Sequence, residues 1–350
     1  MKTNAQQLLG FILLLAGICS CVADTESGLN ALDPDATATT KPLGSPFPTS
    51  APTVVPTPIP NLADNPREQP MSESKLASSS CRLDSSLAAP IPGVTEIAIA
   101  QEFEGETISR RYLVHTPEKL DATRCYPLLF ALHGIGGVPD RYPKKFSQFV
   151  ENHEFIGIYP AGHKKRWNLG QIASHPNDIE FLETVADNLV PFRNIDHNRR
   201  YVHGRSNGAG MAHTLGGESD YFRAFSALVA SLTTGNLPSE PARQPSVVQI
   251  LGEYDELIPY KGGQGVANRI FLSGEESANT WAQHNECNLE PEITEYNIGS
   301  YETIRTSYRG CANSGEVVSY MVINAGHGIP ADRQGWLDFS TLIWDFLSRH

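Results

Sequence analysis

The segment YVHGRSNGAGMA, residues 201–212, decides the fold. A short β-type run ends at Gly204, Ser206 stands between two glycines, and a stretch of small residues follows. Strand, G-x-S-x-G and helix in this order are typical of a nucleophile elbow, a tight turn that exposes a reactive serine. The glycines remove side chains that would collide with neighbouring backbone in such a turn. The pattern predicts that Ser206 is a nucleophile; the alternative is an ordinary glycine turn.

A second glycine-rich loop supports this prediction. The buried strand LLFAL, residues 128–132, runs directly into HGIGG. Loops of this kind supply a backbone N–H that binds the oxyanion formed when a serine attacks a carbonyl. We predict Ile135 as this donor, with Gly136 as the alternative, and Asn207 at the start of the next helix as the second donor. His133 precedes the serine in chain order and is predicted to be structural.

An acid and a base follow the serine, each on a loop after a predicted strand. The loop GEYDELIP contains Asp255, with Glu253 and Glu256 as alternatives for the acid. The loop NAGHG contains His327. The chain order of serine, acid and histidine is the one that this type of elbow requires. The sequence therefore predicts a catalytic triad of Ser206, His327 and Asp255.

From residue 81 onward, β-type apolar runs alternate with helical patterns. The predicted strands are 112–115, 126–132, 155–159, 200–203, 225–230, 247–251 and 317–323, and the predicted helices are 141–152, 178–190, 207–215, 277–284 and 336–347. This alternation predicts an α/β fold, a mostly parallel sheet covered by helices on both faces. The site of such a sheet lies beyond the carboxyl ends of its strands.

The first 80 residues have a different composition. Residues 1–23 carry one lysine before an apolar run too short to cross a bilayer, which predicts a signal peptide. A lipobox-like ending would leave Cys21 as a lipidated first residue, and the alternative is cleavage before Asp24. Residues 24–80, rich in Pro, Thr and Ser, are predicted to be a disordered linker. We expect export to the extracellular space or cell surface, with membrane contact only through a lipid on Cys21.

Four cysteines remain outside the signal region, an even number that suggests two disulfides in an exported protein. The economical pairing joins Cys81 to Cys125 and Cys287 to Cys311, although three pairings are open. The absence of a CxxC pair from the sequence argues against zinc, so we expect no metal and no other cofactor. The net charge of −12 gives no electrostatic support for nucleic-acid binding. We expect a monomer.

These motifs together resemble the polyhydroxybutyrate depolymerase and feruloyl esterase family of secreted α/β-hydrolases. The similar segments span residues 81–350 and include PLLFALHGIGG, YPAGHKKRWN, NDIEFL, LGEYDELIPY, WAQHNEC and AGHGIP. The resemblance implies the α/β-hydrolase fold and the same three triad residues. It also implies that Trp167 and Asn168 lie near the substrate cleft and that Cys287 and Cys311 are bridged. Where the family usually has Thr-Trp-Pro after the histidine, this chain has Gly328-Ile329-Pro330.

The resemblance implies a carboxylic ester hydrolase that acts on a polymeric or small ester. The candidate substrates are feruloyl or acetyl groups on plant cell-wall polysaccharide, or a hydroxyalkanoate polyester. The alternatives are a non-catalytic binding domain on the same scaffold and a serine peptidase of the same fold. Two local alternatives also stay open: Trp167 as a core aromatic, and Lys164-Lys165-Arg166 as a solvated cationic turn instead of a cleft lining.

Overall fold

The computed structural model describes residues 81–170, 173–239 and 243–350. The predicted signal peptide at residues 1–23, the candidate lipid site Cys21 and the predicted linker at residues 24–80 lie outside the described residues. Two disulfides close loops within the described chain, Cys81–Cys125 and Cys287–Cys311. The structure therefore contains the economical pairing that the sequence suggests.

A ten-stranded sheet forms the centre of the protein. Its strands are β1 Gly93–Phe103, β2 Glu106–Thr116, β3 Tyr126–Leu132, β4 Ile156–Pro160, β5 Ile195–Arg205, β6 Ala224–Leu228, β7 Ser246–Gly252, β10 Glu292–Ile298, β11 Tyr301–Tyr308 and β12 Val317–Val322. A separate two-stranded sheet pairs β8 Gly263–Gln264 with β9 Ile270–Phe271. Five α-helices accompany the strands in the described ranges: α1 Tyr142–Glu151, α2 Asp178–Asn188, α3 Asn207–Glu218, α4 Gly274–His284 and α5 Arg333–Ser348.

The strands run in the order β1-β2-β4-β3-β5-β6-β7-β12-β11-β10. The six central strands, from β4 to β12, are all parallel. An antiparallel pair flanks each edge, β1 with β2 and β11 with β10. The carboxyl ends of β3, β5 and β7 therefore meet at one edge of the sheet, together with that of β12. The loops predicted to carry the site follow these four strands.

Side chains of the central strands alternate between two apolar cores. On β3, Leu128 and Phe130 pack into one core while Leu129 and Ala131 pack into the other. Helices α2, α3 and α4 contribute to the first core, and helices α1 and α5 contribute to the second. All seven residues of β3 are buried, as expected for a strand covered on both faces. The predicted fold class is confirmed.

The antiparallel edges were not predicted from the sequence. Strand β1 was missed entirely, and β2 is 11 residues long where a strand at 112–115 was expected. Along β1, exposed and partly buried residues alternate, because only one of its faces is covered. The turn between β1 and β2 places Glu104 and Gly105 at φ of 51° and 81°. Positive φ at two consecutive residues is typical of a type I′ hairpin turn.

No helix within the described ranges is long and apolar enough to cross a membrane. The same ranges contain no cluster of three or more His, Cys, Asp or Glu side chains that could hold a metal ion.

Candidate active site

Ser206 occupies a strained turn between β5 and α3. Its backbone has φ of 55° and ψ of −120°, a conformation that a residue with a side chain rarely adopts. A Cβ on Gly204 would collide with the backbone of Gly208, and a Cβ on Gly208 would collide with the carbonyl oxygen of Leu132. The N–H of Ser206 donates to the carbonyl of Leu228 on β6, at 2.8 Å. The two glycines are therefore needed for the elbow to fit against its neighbours, as the sequence predicts.

The structure brings Ser206, His327 and Asp255 into one hydrogen-bonded chain. His327 Nε2 lies 2.8 Å from Ser206 Oγ, and His327 Nδ1 lies 2.7 Å from Asp255 Oδ2. The His327 side chain is 19% exposed, whereas that of Asp255 is 2% exposed. An imidazole between a hydroxyl and a buried carboxylate is the geometry that activates a serine for nucleophilic attack.

The local fold distinguishes Asp255 from the two alternative acids. Asp255 Oδ1 accepts hydrogen bonds from the N–H groups of Leu257 and Ile258, both at 2.9 Å, which leaves Oδ2 directed at His327. Glu253 instead accepts from the N–H of Asn324, at 3.0 Å. Glu256 is exposed. Two backbone donors hold the Asp255 carboxylate in a fixed orientation, so the loop after β7 presents a preorganised partner to the histidine.

The HGIGG loop lies directly beside the serine. A Cβ built on Gly134 would stand 4.0 Å from Ser206 Oγ. The N–H of Gly136 donates to the carbonyl of Lys165, at 2.8 Å. The N–H groups of Ile135 and Asn207 donate to no group in the part of the chain that the structure describes. Of the two candidate donors in this loop, Ile135 therefore has the available N–H, and Gly136 does not.

His133 holds the oxyanion loop in place. Its Nδ1 hydrogen-bonds the carbonyl of Gly134 at 2.8 Å, and its Nε2 accepts from the N–H of Gly162 at 3.0 Å. This pattern corresponds to a neutral imidazole that donates from Nδ1. Burial lowers the pKa of His133, while the Gly134 carbonyl acts in the opposite direction. The structure places this histidine as a support of the loop, with no contact to Ser206.

Trp167 is fully buried, and its position near the substrate cleft stays a prediction. Its indole N–H donates to the carbonyl of His133 at 2.8 Å, and the side chain is 0% exposed. Its backbone N–H donates to Asn207 Oδ1 at 2.7 Å, and Asn207 Nδ2 donates back to the Trp167 carbonyl at 3.2 Å. The residue joins the oxyanion loop to the helix that follows the serine. The ring of Trp167 therefore matches the alternative interpretation from the sequence, that of a core aromatic.

Asn168 likewise stabilises the loop that carries it. Its side-chain Nδ2 donates to the carbonyls of His175 and Pro176, at 3.0 and 3.2 Å. Its N–H donates to Asp178 Oδ2 at 2.6 Å. These contacts give the carboxamide a structural role, and a contact with substrate stays a prediction.

A buried ion pair that sequence reasoning missed lies behind this loop. Arg110 on β2 and Asp178 on α2 are joined at 2.5 Å, and their side chains are 2% and 1% exposed. Arg110 also donates to Gln101 Oε1 at 2.6 Å, and its guanidinium lies 3.9 Å from the centre of the Phe181 ring. Breaking such a pair costs about 3–5 kcal/mol, because it leaves an uncompensated buried charge. The segment NDIEFL contains Asp178, but nothing in the sequence identifies its partner 68 residues earlier.

The cationic turn Lys164-Lys165-Arg166 is mostly solvated. Lys164 and Lys165 are exposed, and Lys165 contributes its carbonyl to Gly136. Arg166 is partly buried. The first two residues therefore match the solvated interpretation of this turn.

Three exposed apolar side chains belong to the loops that carry candidate site residues. Ile135, Tyr254 and Leu257 are 61%, 62% and 48% exposed. Ile135 follows Gly134, the glycine beside Ser206. Tyr254 and Leu257 lie on either side of Asp255 in the same loop. The Tyr254 ring has no aromatic contact within the described residues. We name these three side chains the apolar rim.

Comparison with curated proteins finds feruloyl esterases. The chain is 26% identical over 225 residues to a probable feruloyl esterase C of Aspergillus terreus, a match that covers 62% of this chain and 76% of that protein. It is 26% identical over 247 residues to a probable feruloyl esterase C of Aspergillus niger, covering 68% of this chain and 83% of that protein. No family model matches the chain.

Among solved structures, an acetyl xylan esterase from Aspergillus awamori aligns with a TM-score of 0.47 at 15% identity. The alignment covers 68% of this chain and 94% of that chain.

The sheet order and the turn after β5 define the class of protein: this chain has the α/β-hydrolase fold, with its candidate nucleophile where that fold carries one. The similarity to curated feruloyl esterases supports the resemblance that the sequence motifs indicate. The chain is a carboxylic ester hydrolase that is similar in sequence to feruloyl esterases.

Proposed function

We propose that Ser206, His327 and Asp255 hydrolyse esters through an acyl-enzyme intermediate. Ser206 Oγ attacks the ester carbonyl carbon while His327 Nε2 accepts the hydroxyl proton. The tetrahedral oxyanion is bound by the N–H groups of Ile135 and Asn207. The imidazolium then gives its proton to the leaving alcohol as the C–O bond breaks. Asp255 keeps the imidazole in the tautomer that accepts at Nε2 and stabilises its cation.

The second half of the reaction repeats these steps with water. His327 takes a proton from a water molecule whose oxygen attacks the acyl-enzyme carbonyl, and the same two N–H groups bind the second oxyanion. Collapse breaks the bond to Ser206 Oγ, which recovers its proton from His327, and a carboxylic acid leaves. The observation that carries this proposal is the continuous hydrogen-bonded chain of Ser206, His327 and Asp255 beside two available N–H donors.

We propose that the substrate is an aromatic acyl ester on a polysaccharide, of the feruloyl type. The chain's curated relatives are feruloyl esterases, and the apolar rim offers a surface on which a phenyl ring could be desolvated. Tyr254 supplies the rim's aromatic face, and offset aromatic pairs contribute about 0.5–1.5 kcal/mol beyond the area they bury.

One substrate panel tests both proposals: methyl ferulate, acetylated xylan, polyhydroxybutyrate film and a fluorogenic peptide, each with the wild-type chain and with Ser206→Ala. We expect hydrolysis of methyl ferulate at the highest kcat/KM, and loss of that activity in the variant. Faster hydrolysis of the polymer film or the peptide would overturn the substrate proposal while leaving the mechanism standing. Failure of a fluorophosphonate probe to label Ser206 would indicate the non-catalytic binding domain.

The role of the apolar rim has its own test. Tyr254→Ala is expected to raise KM for methyl ferulate about fivefold, because the stacking surface is lost, while hydrolysis of p-nitrophenyl acetate changes less than twofold. Tyr254→Phe keeps the ring and is expected to resemble the wild type. Tyr296→Ala, an exposed tyrosine on β10, is the matched control. If Tyr254→Ala changed the kinetics of both esters equally, Tyr254 would not contribute to recognition of the acyl group.

We propose that the protein is exported and that residues 81–350 are its catalytic domain. Two disulfides within the described chain are typical of a protein that matures in an oxidising compartment. The signal peptide at residues 1–23, the linker at 24–80, the lipid on Cys21 and the monomeric state stay predictions. Metabolic labelling with palmitate tests the lipid: the wild-type chain is expected to incorporate it and Cys21→Ser is not. Labelling of both chains, or of neither, would exclude Cys21 as the lipidated residue.

A further inference from the structure

Arg205 links the nucleophile elbow to the loop that carries the histidine. It directly precedes Ser206, and its Nη2 donates to the carbonyl of His327 at 3.0 Å and to the carbonyl of Ile329 at 3.3 Å. These acceptors lie 122 and 124 residues further along the chain. One side chain therefore ties the backbone on both sides of Gly328 to the turn that holds Ser206.

The guanidinium of Arg205 differs from those of other arginines in its partners. Within residues 81–170, 173–239 and 243–350, the ion pairs of Arg110, Arg111, Arg199, Arg309 and Arg349 join each of them to a carboxylate, and no ion pair involves Arg205. The guanidinium of Arg205 donates to backbone carbonyls. Its charge is nevertheless partly buried, and burial lowers its pKa, with the nearby Tyr142 and Asp255 acting in the opposite direction.

The histidine loop is held by contacts from other loops, since the N–H of Tyr254 donates to the carbonyl of Ala325 and the N–H of Asn324 donates to Glu253. Ser206 is fixed by a β-strand, a helix and two close-packed glycines, and Asp255 is fixed by two backbone N–H groups. His327 stands between Gly326 and Gly328, and glycine gives a backbone the widest conformational freedom. The imidazole ring itself contacts Ser206, with which it exchanges a proton, and Asp255, which orients it. A contact to the His327 backbone is therefore what can hold its position while the proton moves.

We propose that Arg205 is a positioning residue that keeps His327 Nε2 within hydrogen-bonding distance of Ser206 Oγ during turnover. This inference rests on the proposed triad mechanism. Arginine suits the role because its planar group carries several N–H donors in a fixed geometry and keeps its charge. Lysine presents a point charge on a flexible chain and cannot reproduce two directed contacts as well. A misplacement of about 1 Å in a catalytic group can cost on the order of 100-fold in rate.

The test compares Arg205→Met and Arg205→Lys with the wild-type chain. Active sites are counted by end-point titration with a fluorophosphonate, and kcat for methyl ferulate is expressed per titrated site. We expect Arg205→Met to lower this kcat about 10- to 100-fold with KM within threefold of the wild type, and Arg205→Lys to fall in between. Arg223→Met is the matched control. Arg223 also donates to a backbone carbonyl, that of His350, but it is exposed and lies at the amino end of β6, away from the carboxyl ends that carry the site.

A purely structural role would give a different result. It would lower the melting temperature and the fraction of titratable sites while leaving kcat per titrated site unchanged, and that outcome overturns the proposal. If Arg205→Met does not fold, Arg205→Lys decides: a kcat per site at least fivefold lower supports positioning, and an unchanged kcat overturns it. Ser206→Ala separates the two levels: activity retained in Ser206→Ala would refute the triad itself, whereas activity lost there together with an unchanged kcat per site in Arg205→Met would refute only the role of Arg205.

Discussion

Two serine–histidine hydrogen bonds in this protein have the same length and different surroundings. His327 Nε2 lies 2.8 Å from Ser206 Oγ, and His203 Nδ1 lies 2.8 Å from Ser226 Oγ. The first pair stands at the carboxyl ends of β5 and β12, where solvent reaches the imidazole. The second pair lies between neighbouring strands β5 and β6, inside the sheet, and both residues are buried.

The difference between the pairs lies in what else the histidine contacts. The other nitrogen of His327 meets the Asp255 carboxylate, which can stabilise a cationic ring. His203 packs edge-to-face against Phe146 and Trp336. Burial lowers the pKa of His203 to about 3, with Lys145 and Arg205 acting in the same direction. Its ring therefore cannot take up a proton near neutral pH. A short contact between serine and histidine thus predicts chemistry only together with a carboxylate, a strained serine backbone and an approach for substrate.

The largest expected effect separates the two serines. Ser206→Ala removes the nucleophile, so we expect kcat for methyl ferulate to fall by about 10³- to 10⁶-fold with the fold retained. Ser226→Ala is the matched control and should keep kcat within twofold of the wild type. Steady-state kinetics with circular dichroism on both variants checks this. Comparable losses in the two variants would show that these surroundings do not distinguish a catalytic serine from a buried structural one.

The next effect concerns the carboxylate that only the first pair has. Asp255→Asn keeps the shape of the side chain but can donate to Nδ1 and so favour the wrong imidazole tautomer. We expect kcat to fall by about 10³- to 10⁴-fold. Glu253→Gln, on the same loop, is the control and should lose less than fivefold, because Glu253 contacts a backbone N–H instead. Near-normal turnover by Asp255→Asn in pre-steady-state measurements would remove the acid from the mechanism.

A smaller effect should appear in the pH dependence of stability. The folded-state pKa of His203, about 3, lies below the ordinary value of 6.5. As pH falls below 6.5, the unfolded chain binds a proton that the folded chain excludes, so the free energy of unfolding decreases. His203→Asn should reduce this slope by about 1.4 kcal/mol per pH unit between roughly pH 6 and pH 4. Urea titrations at several pH values measure it.

His213, whose pKa burial lowers to about 4, provides the comparison for that experiment, because it should continue to contribute in the His203→Asn chain. An unchanged slope in His203→Asn would indicate that the His203 imidazole is protonated in the folded state or is not buried.

The smallest effect is the loss of stability from the second serine. Ser226→Ala leaves a buried imidazole nitrogen without its partner, which typically costs about 1–3 kcal/mol. The free energy of unfolding from urea denaturation at pH 7 gives this value. A variant as stable as the wild type would show that His203 finds another partner after a small shift.

Much of this architecture could be predicted from the sequence, and the reasons are local. The strand–glycine–serine–glycine–helix pattern locates the elbow, and apolar runs locate the six central parallel strands, because strands covered on both faces are apolar along their whole length. The chain order of serine, acid and histidine selects the loops that the fold then brings together. The sequence leaves three disulfide pairings open, because four cysteines do not by themselves specify their partners.

The missed features depend on distant contacts. Strand β1 is covered on one face only, so its pattern is weak. The indole of Trp167 donates to the carbonyl of His133 and its backbone pairs with the side chain of Asn207, and neither residue is near it in sequence. The partners of Arg110 and Arg205 likewise lie tens of residues away, and an arginine in a sequence gives no sign of which carbonyl or carboxylate it will meet.

The strained backbone of Ser206 lowers the stability of the folded protein, and the same conformation exposes the hydroxyl that the proposed mechanism uses. A φ of 55° with a ψ of −120° suits glycine, whereas a side chain there costs about 1–3 kcal/mol. Ser206→Gly should therefore unfold at a higher temperature than Ser206→Ala, although glycine usually loosens a chain and both variants lack the hydroxyl. The turn that exposes the hydroxyl therefore carries a conformational cost that a glycine at position 206 would relieve, at the expense of the nucleophile.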